Sequence, residues 1–342
     1  MLTGAPQAMA SSRQIQVPTI LSCEEWGARL PQDALTVLDK KATKILVHNT
    51  AFPNTTDHSL AQAIQRVKDI QDLHMDTNGW SDTGQHFTVS QGGYILEGRH
   101  NSLSALQSGN KFVVSAHCPA LNTEAIGIES DGSYIEVLPP EELWKSLVTL
   151  CVYICSQYGL NVNNIFGHWD FRATDCPGIK FYSKFPELRR EVAKRLGAGQ
   201  IPARTWPDLR LNVSGIGVEA IQYLMRDQGN TITVDGAFGP ATNAQVKAFQ
   251  TSKGIIADGF TRNDTWEALV KPLHKGSQGD QVSALQGFLV RNGFDLKQNG
   301  QFDDATMHAV KQVQTLHRLP PTGKVNLDTW CVVTGGNVRG GY

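Results

Sequence analysis

The sequence predicts an α/β domain, a mixed sheet covered by helices, followed by two small all-α repeat modules. Two observations carry that expectation. Up to about residue 197, short β-rich apolar runs alternate with segments of helical period, the pattern of helices layered on a sheet. Beyond that point the chain repeats itself without a gap. Adding 64 carries Val218, Gln222, Gly229, Gly236, Phe238, Thr242, Val246, Gln250 and Gly259 to Val282, Gln286, Gly293, Gly300, Phe302, Thr306, Val310, Gln314 and Gly323, and Thr265-Trp266 to Thr329-Trp330. Self-similarity at a fixed period marks duplicated structural units.

Residues 1–22 read as a polar N-terminal tail, and Cys23 to Arg29 begins the ordered chain. Lys44 to Val47 is a buried strand that ends on His48. From Asp57 to Met75, Leu60, Ile64, Val67 and Ile70 recur near helical period, and Asn78-Gly79 stops the helix. Gln85–Ser90 and Tyr94–Gly98 flank Gln91-Gly92-Gly93 and predict a hairpin. Ala125 to Glu129 is a further strand, cut by Asp131-Gly132. Pro139 to Gly159 predicts a long helix with acids in its first turn and glycine at its end. Cys151 and Cys155 fall on one buried stripe of it, where thiols act as small hydrophobes. Lys184 to Leu196 closes a domain spanning 23–197. Residues 198–214 read as a linker, 215–272 and 275–334 as the two repeats, and 335–342 as a C-terminal tail. Each repeat reads helix, turn, helix, turn, short helix, with no cluster of His, Cys or acids.

The formal charge of −1 is not segregated: residues 215–342 hold 12 Lys+Arg against 11 Asp+Glu, and 1–214 hold 19 against 21. No basic half is offered to nucleic acid. No apolar run approaches the roughly 18–20 residues of a membrane span. Met1 to Pro18 lacks a charged start followed by an apolar run, so no secretory signal is expected. The cysteines at 23, 118, 151, 155, 176 and 331 form no tandem disulfide pattern. A monomer is expected.

The chemistry lies in two segments. His48 ends the first buried strand, and Gly167 to Gly178 sets His168 and Cys176 eight residues apart across a polar loop closed by Pro177-Gly178. Two imidazoles and one thiolate make a three-ligand set for Zn²⁺ that leaves a fourth position for water. Such a site polarises carbonyls and generates hydroxide near neutral pH, as in zinc hydrolases. Alone, a histidine at a strand end is more often a hydrogen-bonded core residue, and a cysteine before Pro-Gly ordinary turn packing. A zinc deaminase is excluded, because its His-x-Glu and Cys-x-x-Cys pairs are absent.

With Trp26-Gly-Ala-Arg29, Val47-His48, Gly79-Trp80-Ser-Asp82-Thr-Gly84-Gln-His86-Phe87, Ile126-Gly-Ile-Glu129 and Gly167-His168…Asp175-Cys176-Pro177-Gly178, residues 23–196 resemble the zinc N-acetylmuramoyl-L-alanine amidase family that includes peptidoglycan recognition proteins and phage T7-type lysozyme. The repeats, with Asp/Asn-Gly-x-Phe and Thr-Trp, resemble the peptidoglycan-binding module that often accompanies such enzymes. The resemblance implies that His48, His168 and Cys176 hold Zn²⁺ and that the bond cut joins the lactyl group of N-acetylmuramic acid to L-alanine. It implies Glu129 as the proton-transfer group, by its match to the glutamate of the cytoplasmic, anhydro-muropeptide branch, and His117 as a substrate-side histidine.

Two positions depart from the family. Gln85 stands where the phage and recognition branch has a catalytic tyrosine, and an amide can hydrogen-bond but not transfer protons. Thr174 stands where lytic phage enzymes often have lysine. After Glu97-Gly98-Arg99, His100-Asn101 also leaves the pattern that reads the third stem-peptide residue.

The implied partner is peptidoglycan and the implied setting the bacterial cell wall or periplasm, reached without a signal peptide by holin-type release, as for an endolysin, or by a specialised secretion system, as for an antibacterial effector. The alternatives are a non-catalytic peptidoglycan receptor, against which the presence of Cys176 counts, and a structural part of a wall or virion. Deletion of 200–342 is expected to spare catalysis on small muropeptides and to lower it on whole sacculi.

Overall fold

The computed structural model describes residues 15–197 and 202–339. Six strands form one sheet in the spatial order Ile20–Leu21, Ile95–Glu97, Phe87–Val89, Ala125–Ser130, Lys44–Asn49 and Ile165–Gly167. Every neighbouring pair is parallel except the hairpin pair 87–89 and 95–97. Lys44–Asn49 is buried along its whole length, as a strand covered on both faces must be. Ile45, Val47, Ile126 and Ile128 share one core with Leu143, Leu147, Cys151 and Ile154 of helix Glu141–Tyr158 and with Leu188 and Val192 of helix Phe185–Leu196. Leu46 and Phe166 belong instead to the core that holds the repeats. Because side chains alternate along a strand, the face that carries Leu46 also carries His48.

Local chemistry sets the element ends. The Ser22 hydroxyl accepts from Glu25 N while the Glu25 carboxylate accepts from Ser22 N, a capping box that starts helix Cys23–Trp26. Ser59 caps helix Leu60–Asp72, so this helix begins at the first residue of its apolar period, three residues after Asp57. A π-helical turn, Leu73–Thr77, then leads to Asn78. Helix Ser102–Ser108 and the strand pair Val37–Leu38 with Phe112–Val113 were not anticipated; they are too short to declare a period.

Three expected boundaries shift. Ile20 and Leu21 pair with Ile95 and Leu96, so order begins inside the stretch read as a tail; residues 1–14 of that stretch lie outside the described residues. Arg204–Thr205 pairs antiparallel with Asn337–Val338, which builds both the expected linker and the expected C-terminal tail into the fold; residues 198–201 and 340–342 lie outside the description. Contacts of each repeat also reach upstream of its first helix. Pro207 O accepts from Trp266 Nε1 and Lys271 O from Trp330 Nε1, both at 2.8 Å, and Leu209 bridges Thr261 as Leu273 bridges Val325.

The spacing of 64 holds element by element. Helices Ile216–Asp227, Pro240–Ser252 and Asn263–Leu269 recur as Asp280–Arg291, Asp304–Leu316 and Leu327–Val333. Buried glutamines hold the turns between them. Gln222 accepts from Asp235 N and Gly236 N and donates to Ala237 O and Thr242 Oγ1. Gln286 does the same for Asn299 N, Gly300 N, Gln301 O and Thr306 Oγ1. An amide side chain can accept from two inward-pointing N–H groups through its oxygen while its NH₂ donates to two acceptors. Gln286→Leu leaves two backbone donors unpaired, and urea denaturation is expected to show a loss of about 3 kcal/mol. A loss under about 0.5 kcal/mol would mean that solvent can serve these turns as well as the amide does.

Candidate metal centre

The sheet register assembles the site. His48 and Glu129 are register partners on adjacent parallel strands, and His168 follows directly on strand Ile165–Gly167. Asp170 fixes the turn at His168: one carboxylate oxygen accepts from Gly167 N at 2.9 Å and the other from the Tyr182 hydroxyl at 2.7 Å. The chain returns so that Trp169 N donates to Cys176 O at 3.1 Å and Asn49 N to Cys176 Sγ at 3.2 Å. One ligand atom each from His48, His168 and Cys176 then lies within 4.8 Å of the others, the one such group found among the described residues.

The donors fit a zinc ion. His168 Nε2 is buried without a hydrogen-bond partner. Burial, helped by His168, His117 and His86, holds His48 well below the ordinary imidazole range; burial, His117 and Arg172 bring His168 down to about 3. Both rings are therefore neutral, the form that ligates. Burial and Glu129 push the Cys176 thiol well above its usual range against the Asn49 N–H, and a cation is the partner that would make it a thiolate. Two neutral imidazoles and a sulfur on three sides suit an open tetrahedral zinc site.

His117 orients His48. Its Nε2 donates to Ala125 O at 2.9 Å, since a carbonyl can only accept, which makes its Nδ1 the acceptor for His48 Nε2 at 3.0 Å. The His48 Nδ1 lone pair is thereby left for a metal, 4.0 Å from Glu129 Oε1. Donation of the second ring N–H to a fixed acceptor is how ligating histidines are normally held. Burial, with Asp131 adding to it, pushes the Glu129 carboxyl up to about 8, and its Oε2 is buried without a partner.

A cavity of about 450 Å³ opens on these groups, lined also by His74, Trp80, Gln85, Ser133, Ile135 and Thr174. The structure thus brings His48, His168, Cys176 and Glu129 together. His117 touches the cavity but spends both ring nitrogens on Ala125 and His48. The Thr174 hydroxyl accepts from Cys176 N at 3.2 Å. Gln85 donates to Thr88, the other register neighbour of Glu129, and its Oε1 is buried without a partner. His100 pairs with Asp82 at 2.8 Å and does not line the cavity. Sequence reasoning gave no role to Asn49, Asp170, Tyr182, His74 or Trp80. Of these only Trp80 carried a signal, as part of the Gly79–Phe87 motif. Cys151 and Cys155 lie in the apolar core, as expected. His117→Ala is expected to release the His48 ring and to weaken zinc binding about tenfold in competition with a chromophoric chelator; unchanged affinity would remove His117 from the centre.

Residues 38–179 match the family described as N-acetylmuramoyl-L-alanine amidase, and residues 214–269 and 278–332 match the putative peptidoglycan binding domain. Peptidoglycan-recognition protein LB of Drosophila melanogaster is 27% identical over 166 residues, 48% of this chain and 66% of that protein. N-acetylmuramoyl-L-alanine amidase CwlL of Bacillus licheniformis is 25% identical over 271 residues, 64% of this chain and 74% of that protein. The solved structure of N-acetylmuramoyl-L-alanine amidase LysC from Clostridium intestinale URNW, 26% identical, covers 52% of this chain and 98% of its own, with a TM-score of 0.41. This chain spans between 27% and 66% of the length of the first curated relatives that it matches.

Proposed function

We propose that this chain, whose residues 38–179 belong to the N-acetylmuramoyl-L-alanine amidase family and whose two repeats belong to the peptidoglycan-binding family, hydrolyses the amide bond between N-acetylmuramic acid and L-alanine in peptidoglycan. The observation that carries this reading is the convergence of His48, His168 and Cys176 beside the buried carboxyl of Glu129, on the floor of an open cavity. These three residues would hold a zinc ion, which would supply a Lewis acid to polarise the scissile carbonyl and to make water more acidic.

The chain's own groups do the rest. Glu129 takes a proton from the attacking water and passes it to the L-alanine nitrogen as the C–N bond breaks. Its burial raises its basicity, which suits the first of these duties, and makes its protonated form a donor near neutral pH, which suits the second. Gln85 cannot transfer a proton; its amide lines the cavity and donates to Thr88. Trp80 and Ile135 give that cavity apolar sides. The repeats hold the polymer, so that each new bond is met at a high effective concentration. The bacterial cell wall is the site of action; no helix among the described residues is long and apolar enough to cross a membrane.

Mass spectrometry of fragments released from purified sacculi tests the reading. New peptides beginning with free L-alanine are expected, without new reducing sugar ends, and chelation or Cys176→Ala should abolish them. Glu129→Gln is expected to slow release about 10²–10³-fold with zinc content unchanged. Sacculi that are bound but left uncut by zinc-loaded protein would mark a receptor instead.

A further inference from the structure

The loop that joins the two metal-binding residues His168 and Cys176 is anchored by the repeats. Phe171 O accepts from Ser214 N at 3.2 Å, and Ala173 N donates to Ser214 Oγ at 3.3 Å. Gly215 approaches so closely that a Cβ there would lie 3.0 Å from the Arg172 carbonyl, and its φ of +112° suits glycine. From the second repeat, Arg291 donates to Asp175 Oδ1 at 2.9 Å and to Thr174 O, while its guanidinium lies 4.4 Å from the centre of the Trp169 ring. One side chain therefore grips the residue that follows His168 and the two that precede Cys176.

Duplication offers an internal comparison. Subtracting 64 from Arg291 gives Asp227, which pairs with Lys271 within the repeats, and adding 64 to Ser214 gives Gln278. The two modules share their turn glutamines and buried tryptophans. They differ where one of them reaches the loop.

We propose that Arg291 is a positioning residue of the metal centre, and that the second repeat thereby completes the site as well as binding the wall. An ion pair to a carboxylate as exposed as Asp175 adds little to stability. Its effect is geometric: the planar fork binds two acceptors on one side of the loop while its face covers Trp169 on the other, a combination lysine cannot reproduce. Groups that orient ligands from behind carry about 10–100-fold of metal affinity or activity. The same anchoring corrects the expectation for the deletion of 200–342, which would strip the loop of Ser214 and Arg291 and uncover Phe166 and Phe171, and so would not leave the catalytic domain as it was.

The turnover part of the test rests on the amidase reading; the metal part does not. Full-length Arg291→Ala and Arg291→Lys are compared with Arg226→Ala, which breaks the Asp280 pair between the repeats and touches no residue of the loop. Zinc affinity is read by chelator competition, the centre by the thiolate-to-metal absorption of the cobalt-substituted protein, and turnover on a soluble muropeptide. Arg291→Ala is expected to bind zinc about tenfold more weakly, to shift the cobalt spectrum, and to lose kcat more than KM. Arg291→Lys should recover only part of this, and stands in should the alanine variant not fold. Arg226→Ala should match the parent. Parent-like zinc affinity and spectrum in the Arg291 variants, or the same losses in Arg226→Ala, would overturn the proposal. If the parent itself leaves the muropeptide intact, the amidase reading fails and the zinc titration still decides the role of Arg291.

Discussion

The register of strand Lys44–Asn49 between its two parallel neighbours is the constraint on which the rest depends. It sets His48 opposite Glu129 and places the end of strand Ile165–Gly167, with His168 next, at the same edge of the sheet. A slip of one residue would send His48 to the face packed by the long helices and replace it with Val47 or Asn49. That slip is opposed from both sides. Ile45 and Val47 are buried under the helices, and Leu46 is buried with the repeats. The site is accurate because the strand that carries it has no exposed face on which to slide.

Burial that fixes geometry also fixes charge. Desolvation acts first in lowering the proton affinity of His48, His86, His117 and His168; His117 lowers that of the other three further, and His168 and His86 add to the effect on His48. All four stand as neutral rings: His117 donates to Ala125 O, His86 is bonded to Val113 O, and His48 donates to His117. The Cys176 thiol and the Glu129 carboxyl are pushed the opposite way by the same desolvation. A dication in this cavity would be ligated by the neutral imidazoles and would favour the thiolate and the carboxylate over their protonated forms, inverting the local preferences. Part of the polar cost of the site is met by partners within the protein, and a bound cation would offset the rest.

The convergence of His48, His168 and Cys176 was legible in the sequence because a strand that ends in histidine and a polar loop closed by Pro-Gly fall together on the positions of one family pattern. The helical modules were legible because duplication writes their period twice. Strands such as Ile20–Leu21 and Arg204–Thr205 were not, since two residues declare no alternation and their partners lie far along the chain. The place of His117 was hidden for a related reason. Its loop position says nothing of which ring nitrogen meets Ala125 and which meets His48; only the folded sheet brings them together. Arg291 is 116 residues from Asp175, and its one sequence signal is negative, a cation where the sister repeat has Asp227.

Docking of the repeats bears on what wall binding would mean for the proposed catalysis. A module on a flexible tether raises local concentration and leaves the direction of approach free. Here Arg210 donates to Ala120 O and Glu124, Lys44 pairs with Asp208, and Asn337 donates to Asn163 O, so the repeats are held to the sheet domain at several separate points. The cavity and any wall-binding surface on the repeats then move as one body. On the proposed reading, a polymer strand seated on the repeats would present only those stem peptides that the fixed distance and angle allow. Selectivity among bonds in an intact wall would follow from the docking geometry as much as from the cavity, and the loop carrying Cys176 lies where the two meet.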